Sequence, residues 1–346
     1  MHITRTPLAL IAVFGTLAGA SLSAQTPVSQ MDAHIYAAKA AAGQEHRATF
    51  VNLCFPGANP ALANPAARAG AAGPAGGRAA GRRGTGAPDR ASWFASPYKV
   101  FDNLYWLGTR QHSSWALRTS EGLIIIDTNF AWATEPAIIG GLTTLGLDPQ
   151  QIKYVIISHA HGDHDQGAAE LQRRFGAKVV MGAADWDATL KRPATAAGGV
   201  PTRDISVGPE GTKITLGDTT VTVVATPGHS PGTLSYVFPV KDEGRTVMVA
   251  YSGGTLTGGF GTDGARWDEY VASQRKIAKA AADAGATVIL SNHSEYDGAY
   301  TRARLVALKR EPGENHPFIL GADAVQRYFT VMSECALASK LRAGAK

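Results

Sequence analysis

The stretch Tyr154–Gly167, YVIISHAHGDHDQG, places three of the chain's ten histidines and an aspartate within six residues, directly after an apolar run. His159 and His161 stand two apart, so in extended backbone they point the same way and could grip one metal ion. Asp163 and His164 lie just beyond, on a turn helped by Gly162, where they could grip a second. Zinc accepts imidazole and carboxylate at about 2.0–2.2 Å. A lone buried histidine is more often structural than a ligand. Three with an interposed aspartate point instead to metal.

The run His159-Ala160-His161-Gly162-Asp163-His164 resembles the His-x-His-x-Asp-His motif of the metallo-β-lactamase superfamily. The resemblance extends from about Lys99 to the C-terminal helix and implies an α/β (α+β) fold, a four-layer αββα sandwich with a dinuclear metal site at one edge. LIIIDTNF resembles the strand whose closing residue, Asp127, supports the site from behind through hydrogen bonds. TPGHSPG, residues 226–232, supplies His229 where the family has its third histidine, and LSNHSEYDG supplies His293 at the end of the penultimate strand. The resemblance thus assigns His159, His161 and His229 to a first Zn²⁺ and Asp163, His164 and His293 to a second.

The family divides at one position. Lactonases, glyoxalase-type thioesterases and many phosphodiesterases carry an aspartate bridging both metals, on the strand between the last two histidines. Here that strand reads RTVMVAYSGGTLTGGFG, with no acid from Val247 to Gly261, and Asp263 lies too far along a Gly-rich loop. Class B β-lactamases lack the bridging aspartate, and two subclasses place a cysteine there, which this chain also lacks. The six ligands match those of the third subclass. The resemblance implies a zinc-dependent hydrolase acting on a small-molecule β-lactam. A shared water loses its proton near neutral pH and attacks the lactam carbonyl. Asp163, the candidate catalytic residue, orients that hydroxide as well as ligating. Two alternatives stay open: a hydrolase of the same superfamily acting on another ester, lactone or amide, and a zinc-binding protein without turnover. All-N/O ligation suits zinc, although iron or manganese also fits such donors.

Other residues are candidates for substrate contact. Ser252, Thr255 and Thr257 lie where the bridging acid is missing and could hydrogen-bond a substrate carboxylate, or form no more than a polar Gly-rich turn. His112 and Trp115, in GTRQHSSWALRT, could line the mouth of the site or simply serve a hairpin and its packing. Cys54 and Cys335 are the two cysteines; an oxidising compartment allows them to pair, and the alternative is two buried thiols.

Around this centre, 346 residues with 45% apolar and 18% charged content describe a globular chain. The net charge of +5 is concentrated: five arginines and one aspartate in residues 56–90 supply most of it. With no aromatic-interleaved basic face elsewhere, nucleic acid is not an expected partner. Residues 1–24 have the layout of a secretory signal peptide, with Arg5 ahead of an apolar core and small residues after it. About 13 apolar residues are too few to span a ~30 Å hydrocarbon core. The mature chain is therefore expected in the periplasm or secreted, off the membrane. Residues 25–55 read as a helix-prone segment, 56–92 as a flexible Ala/Gly/Pro/Arg-rich insert, and 93–346 as the catalytic domain. Within the last, strands precede and alternate with helices in both halves, which implies sheets covered by helices. The oligomeric state is not set by any of these features.

Overall fold

Leu123-Ile124-Ile125-Ile126 is apolar without alternation, the pattern of a strand buried on both faces. In the computed structural model, which describes residues 28–56, 87–255, 260–308, 310–311 and 313–346, that expectation holds. Ile124 and Ile126 point into a core between two sheets, while Leu123 and Ile125 point outward beneath helices. The expected signal peptide, residues 57–86 of the insert, and Thr257 lie outside the described residues.

The first sheet runs β1 (Tyr98–Lys99), β2 (Leu104–Trp106), β3 (Trp115–Thr119), β4 (Gly122–Ile126), β5 (Ile152–Ile156), β6 (Lys178–Gly182) and β7 (Ile205–Val207), in that spatial order. Pairing is antiparallel from β1 to β4 and parallel from β4 to β7. The second contains β8 (Thr212–Leu216), β9 (Thr219–Ala225), β10 (Leu234–Asp242), β11 (Arg245–Ser252) and β12 (Val288–Ser291), ordered β12-β11-β10-β9-β8. Only β11 and β12 pair in parallel there. Tyr236, Phe238, Val249, Tyr251 and Leu290 meet Trp106, Trp115 and Ile156 across the inter-sheet core.

The helical layers follow from the connections. In chain order they are α1 (Gln30–Ala42), α2 (Arg47–Cys54), α3 (Arg90–Trp93), α4 (Ala131–Ala133), α5 (Gly140–Thr144), α6 (Gly162–Asp165), α7 (Ala168–Phe175), α8 (Ala183–Thr189), α9 (Gly264–Asp283), α10 (Ser294–Asp297), α11 (Ala299–Val306) and α12 (Ala322–Arg342). Residues of α5, α7 and α8 cover the outer face of the first sheet, and α1, α2, α9 and α12 cover that of the second. This is the αββα order expected from the sequence. Among the described residues no helix is long and apolar enough to cross a membrane.

Two local departures have clear causes. The Ala-rich stretch before residue 55, expected as one helix-prone segment, is two helices because Gly43 turns the chain at φ 51°. Between α4 and α5 the chain forms a π-turn segment, Thr134–Ile139. Pro136 has no N–H to give to the preceding turn, and the ladder widens so that Gly140 N–H reaches Glu135 O. The end of the insert is also more ordered than its composition suggested. Asp89 caps α3, which seats Trp93 in a small aromatic cluster with Phe94 and Trp132.

Candidate metal centre

Because β4 and β5 are parallel, as are β11 and β12, with β9 running the same way as β11, their C-terminal ends all open at one edge of the sandwich. From these ends come Asp127, Ser158–His164, the loop 226–232, Gly253–Thr255 and Asn292–His293. Leu234 N–H donates to Ser158 O at 2.8 Å, which ties the two sheets together at this edge.

His159 Nε2 lies 3.1 Å from His229 Nε2, which in turn lies 3.1 Å from His161 Nδ1. The tautomer of His159 is set by what its other nitrogen meets. Nδ1 is 2.9 Å from the carbonyl of Gly253, an oxygen that only accepts, so the proton sits on Nδ1 and Nε2 presents a lone pair. Burial, and then the neighbouring His229, holds the pKa of His159 well below the ordinary value. Three imidazole nitrogens converge with too few protons to link them, which is the arrangement a cation completes.

A second cluster adjoins the first, with the rings of His159 and His164 4.4 Å apart. Asp163 Oδ2 lies 3.2 Å from His164 Nε2 and 3.4 Å from His293 Nε2, and those two nitrogens are 3.2 Å apart. His164 Nδ1 faces Asp127 Oδ2 at 3.2 Å, so this ring too turns Nε2 toward the cluster. Burial opposes a charge on His164, but the carboxylates of Asp163 and Asp127 outweigh it and raise the pKa to about 10. Burial likewise opposes ionisation of Asp163, yet His164 beside it holds the carboxyl well below its usual range. Asp163 Oδ1 is buried and makes no hydrogen bond. A buried carboxylate oxygen without a donor is costly unless a cation or water faces it, so this donor set fits a divalent metal.

The residues behind the clusters fix the loops. Asp127, fully buried with φ 59°, accepts from Ser158 N–H at 2.7 Å, Ser158 Oγ at 2.8 Å and Tyr251 Oη at 2.8 Å. This is the supporting role the sequence assigned to it. Asp185 does the same elsewhere: it accepts from Ala160 N–H at 2.8 Å, Ser230 Oγ at 2.7 Å and Gly232 N–H at 2.9 Å, clamping the two histidine loops together. Arg266 holds the carbonyls of Gly228 and His229 at 2.8 and 2.7 Å. Asn292 Nδ2 donates to Gly253 O at 2.8 Å, the carbonyl that fixes His159. Asp165 pairs with Arg192 at 2.6 Å, although burial raises its pKa to about 7. Sequence reading missed Asp185, Arg266 and Arg192, which belong to no spaced motif, and Asn292, whose place beside His293 gives no sign of its bond to Gly253; each acts on a loop distant in sequence.

The expected substrate contacts divide. His112 does reach the centre, with Nε2 3.6 Å from Asp163 Oδ2. Trp115 does not line the mouth. It is fully buried on the inner face of β3, against Phe318, because alternation along β3 turns it into the inter-sheet core. Ser252 and Thr255 are not presented to a substrate either: Ser252 is buried at the end of β11, and the Thr255 hydroxyl donates to Asn292 Oδ1 at 3.1 Å. Asp263 is spent on the cap of α9, accepting from Arg266 N–H at 3.1 Å, which agrees with its exclusion as a bridging acid. Cys54 and Cys335 are joined in a disulfide.

Residues 107–242 match the family model of the metallo-beta-lactamase superfamily. Over this stretch the chain is similar to metallo-β-lactamase domains. Its fold is similar to that of a subclass B3 metallo-beta-lactamase of Bradyrhizobium japonicum, at 29% identity and TM-score 0.58 over 72% of this chain and 95% of that one. A metallo-beta-lactamase from Legionella gormanii shares the fold at 21% identity and TM-score 0.61, over 73% of this chain and 98% of that one. Among curated proteins, a hydroxyacylglutathione hydrolase of Acidiphilium cryptum is 36% identical over 88 residues, 25% of this chain and 31% of that protein. One of Cereibacter sphaeroides is 30% identical over 155 residues, 44% of this chain and 52% of that protein. The chain thus spans about a third to a half of the length of these curated relatives.

Proposed function

We propose that the protein is an exported dizinc hydrolase that opens the amide of β-lactams. His159, His161 and His229 would hold one ion, and Asp163, His164 and His293 the other. When bound, the zinc ions supply Lewis acidity and a water that ionises near neutral pH. Asp163, with Oδ2 turned into the second cluster, keeps Oδ1 to receive a hydrogen bond from the attacking water and orient it. Asp127, Asp185 and Arg266 hold the histidine loops still while this happens.

The observation that carries the choice of substrate is the end of β11. Ser252-Gly253-Gly254-Thr255 stands there, and the glycines are packed too closely for any side chain. A Cβ on Gly253 would sit 1.8 Å from Leu234 O, and one on Gly254 2.7 Å from His229 Cβ. No carboxylate can reach between the clusters from either glycine, and the sequence has no acid from Val247 to Gly261 to take the place of the bridging acid of glyoxalase-type thioesterases. A second reading, a thioesterase, draws support from the identity to hydroxyacylglutathione hydrolases around the histidine motif. Steady-state turnover of a penicillin and a carbapenem, with zinc and with chelator, tests the first reading. Zinc-dependent turnover that disappears in His229→Ala and in His293→Ala is expected; two bound zinc ions with both β-lactams left intact would sink it.

A further inference from the structure

His112 stands among the donors of the second cluster, yet no ligand motif includes it. Its backbone is locked to that of His293: the two residues form an antiparallel bridge, flanked by Ser113 N–H to Asn292 O at 2.9 Å and Ser294 N–H to Gln111 O at 2.8 Å. The loop between β2 and β3 is thereby stitched to the end of β12, and the two histidines enter the site at the same depth. The ring is fixed as well. It meets Phe130 edge-on at 5.1 Å and His293 at 5.0 Å, and Nδ1 lies 3.3 Å from Thr109 Oγ1.

What the ring is aimed at sets it apart from a packing histidine. Nε2 faces Asp163 Oδ2 at 3.6 Å, with both side chains only 10% exposed. That is too long for a hydrogen bond, where a structural histidine would close to about 2.7–3.0 Å on a carboxylate. It is the separation of two donors on one tetrahedral cation, since bonds of about 2.0–2.2 Å put neighbouring ligands about 3.3–3.6 Å apart. The donor atoms of His112, Asp163 and His293 all lie within 4.8 Å of one another. Thr109 Oγ1 accepts from His112 N–H at 2.9 Å and lies beside Nδ1, so Nε2 is the ring nitrogen turned to the cluster.

We infer that His112 is an additional protein donor to the second metal ion, beside Asp163, His164 and His293. The second position then has more protein ligands than the first and holds its ion the more tightly for it. The inference rests on the metal-binding reading of the two clusters and is independent of the substrate.

The test is metal titration of the metal-free full chain, with chelator competition to give the affinity of each equivalent and Co²⁺ visible absorption to report coordination. His112→Phe keeps a ring against Phe130 and His293 but has no donor, and His112→Ala is the second variant. Melting of the metal-free proteins checks that both fold. The expected result is a second equivalent weakened by about 10–100-fold or more, with an altered Co²⁺ spectrum and an unchanged first equivalent. Second-equivalent affinity within about twofold of wild type, with the same Co²⁺ spectrum, would overturn the inference alone. Wild-type protein that takes up fewer than two ions would overturn the dinuclear reading and this inference with it.

Discussion

Asp127 adopts φ 59°, a region a non-glycine residue enters at a cost. Three hydrogen bonds from Ser158 and Tyr251 and the contact with His164 hold it there. Removing the carboxylate in Asp127→Ala strands those donors and releases the His164 ring, so metal affinity should fall about 10–100-fold, read by chelator competition. Asp185→Ala should show a loss of the same order, because Ala160 N–H, Ser230 Oγ and Gly232 N–H lose their shared acceptor. At this scale the sequence was legible where spacing does the work. His159, His161, Asp163 and His164 are local, and His229 and His293 fall in ordered motifs. Asp185 and the approach of His112 to Asp163 depend on chain segments brought together only by the sheets. Trp115 shows the opposite failure: it lies close in sequence to the site's loop, but strand alternation turns it into the core.

Among the elements, α1 and α2 are the ones whose place was least readable. Their Ala-rich sequence predicts helix but not a partner, and the structure packs them on α12, where the Cys54–Cys335 disulfide joins α2 to the C-terminal helix. Replacing both cysteines by serine should lower unfolding free energy by about 2–5 kcal/mol in urea titrations, with metal content unchanged. His46, buried ahead of α2, donates from Nε2 to Ala324 O of α12 at 2.7 Å. Burial, the largest influence, lowers its pKa below 6.5. The unfolded chain therefore takes up a proton that the folded one resists: this contribution to stability is present above 6.5 and is lost as pH falls through the lowered folded value. Unfolding free energies measured at about pH 7.5 and about pH 5 should accordingly fall more for wild type than for His46→Gln. An equal fall in both would contradict it.

The whole molecule is two sheets whose strand ends gather the residues of the site from five segments at one edge. The strand–helix alternation and the unalternating apolar strands made that architecture readable, since strands buried on both faces need helices outside and another sheet inside. Substrate choice is not readable in the same way, because the histidine motif serves β-lactamases and thioesterases alike. The proposed choice between them rests on the tight Gly253-Gly254 end of β11. The most direct measurement is therefore a side-by-side assay of the zinc-loaded protein on a β-lactam and on a hydroxyacylglutathione thioester, with the metal content of the same sample determined. Zinc-dependent opening of the β-lactam, far more efficient than cleavage of the thioester, is the predicted result. Two bound zinc ions with turnover confined to the thioester would contradict the account.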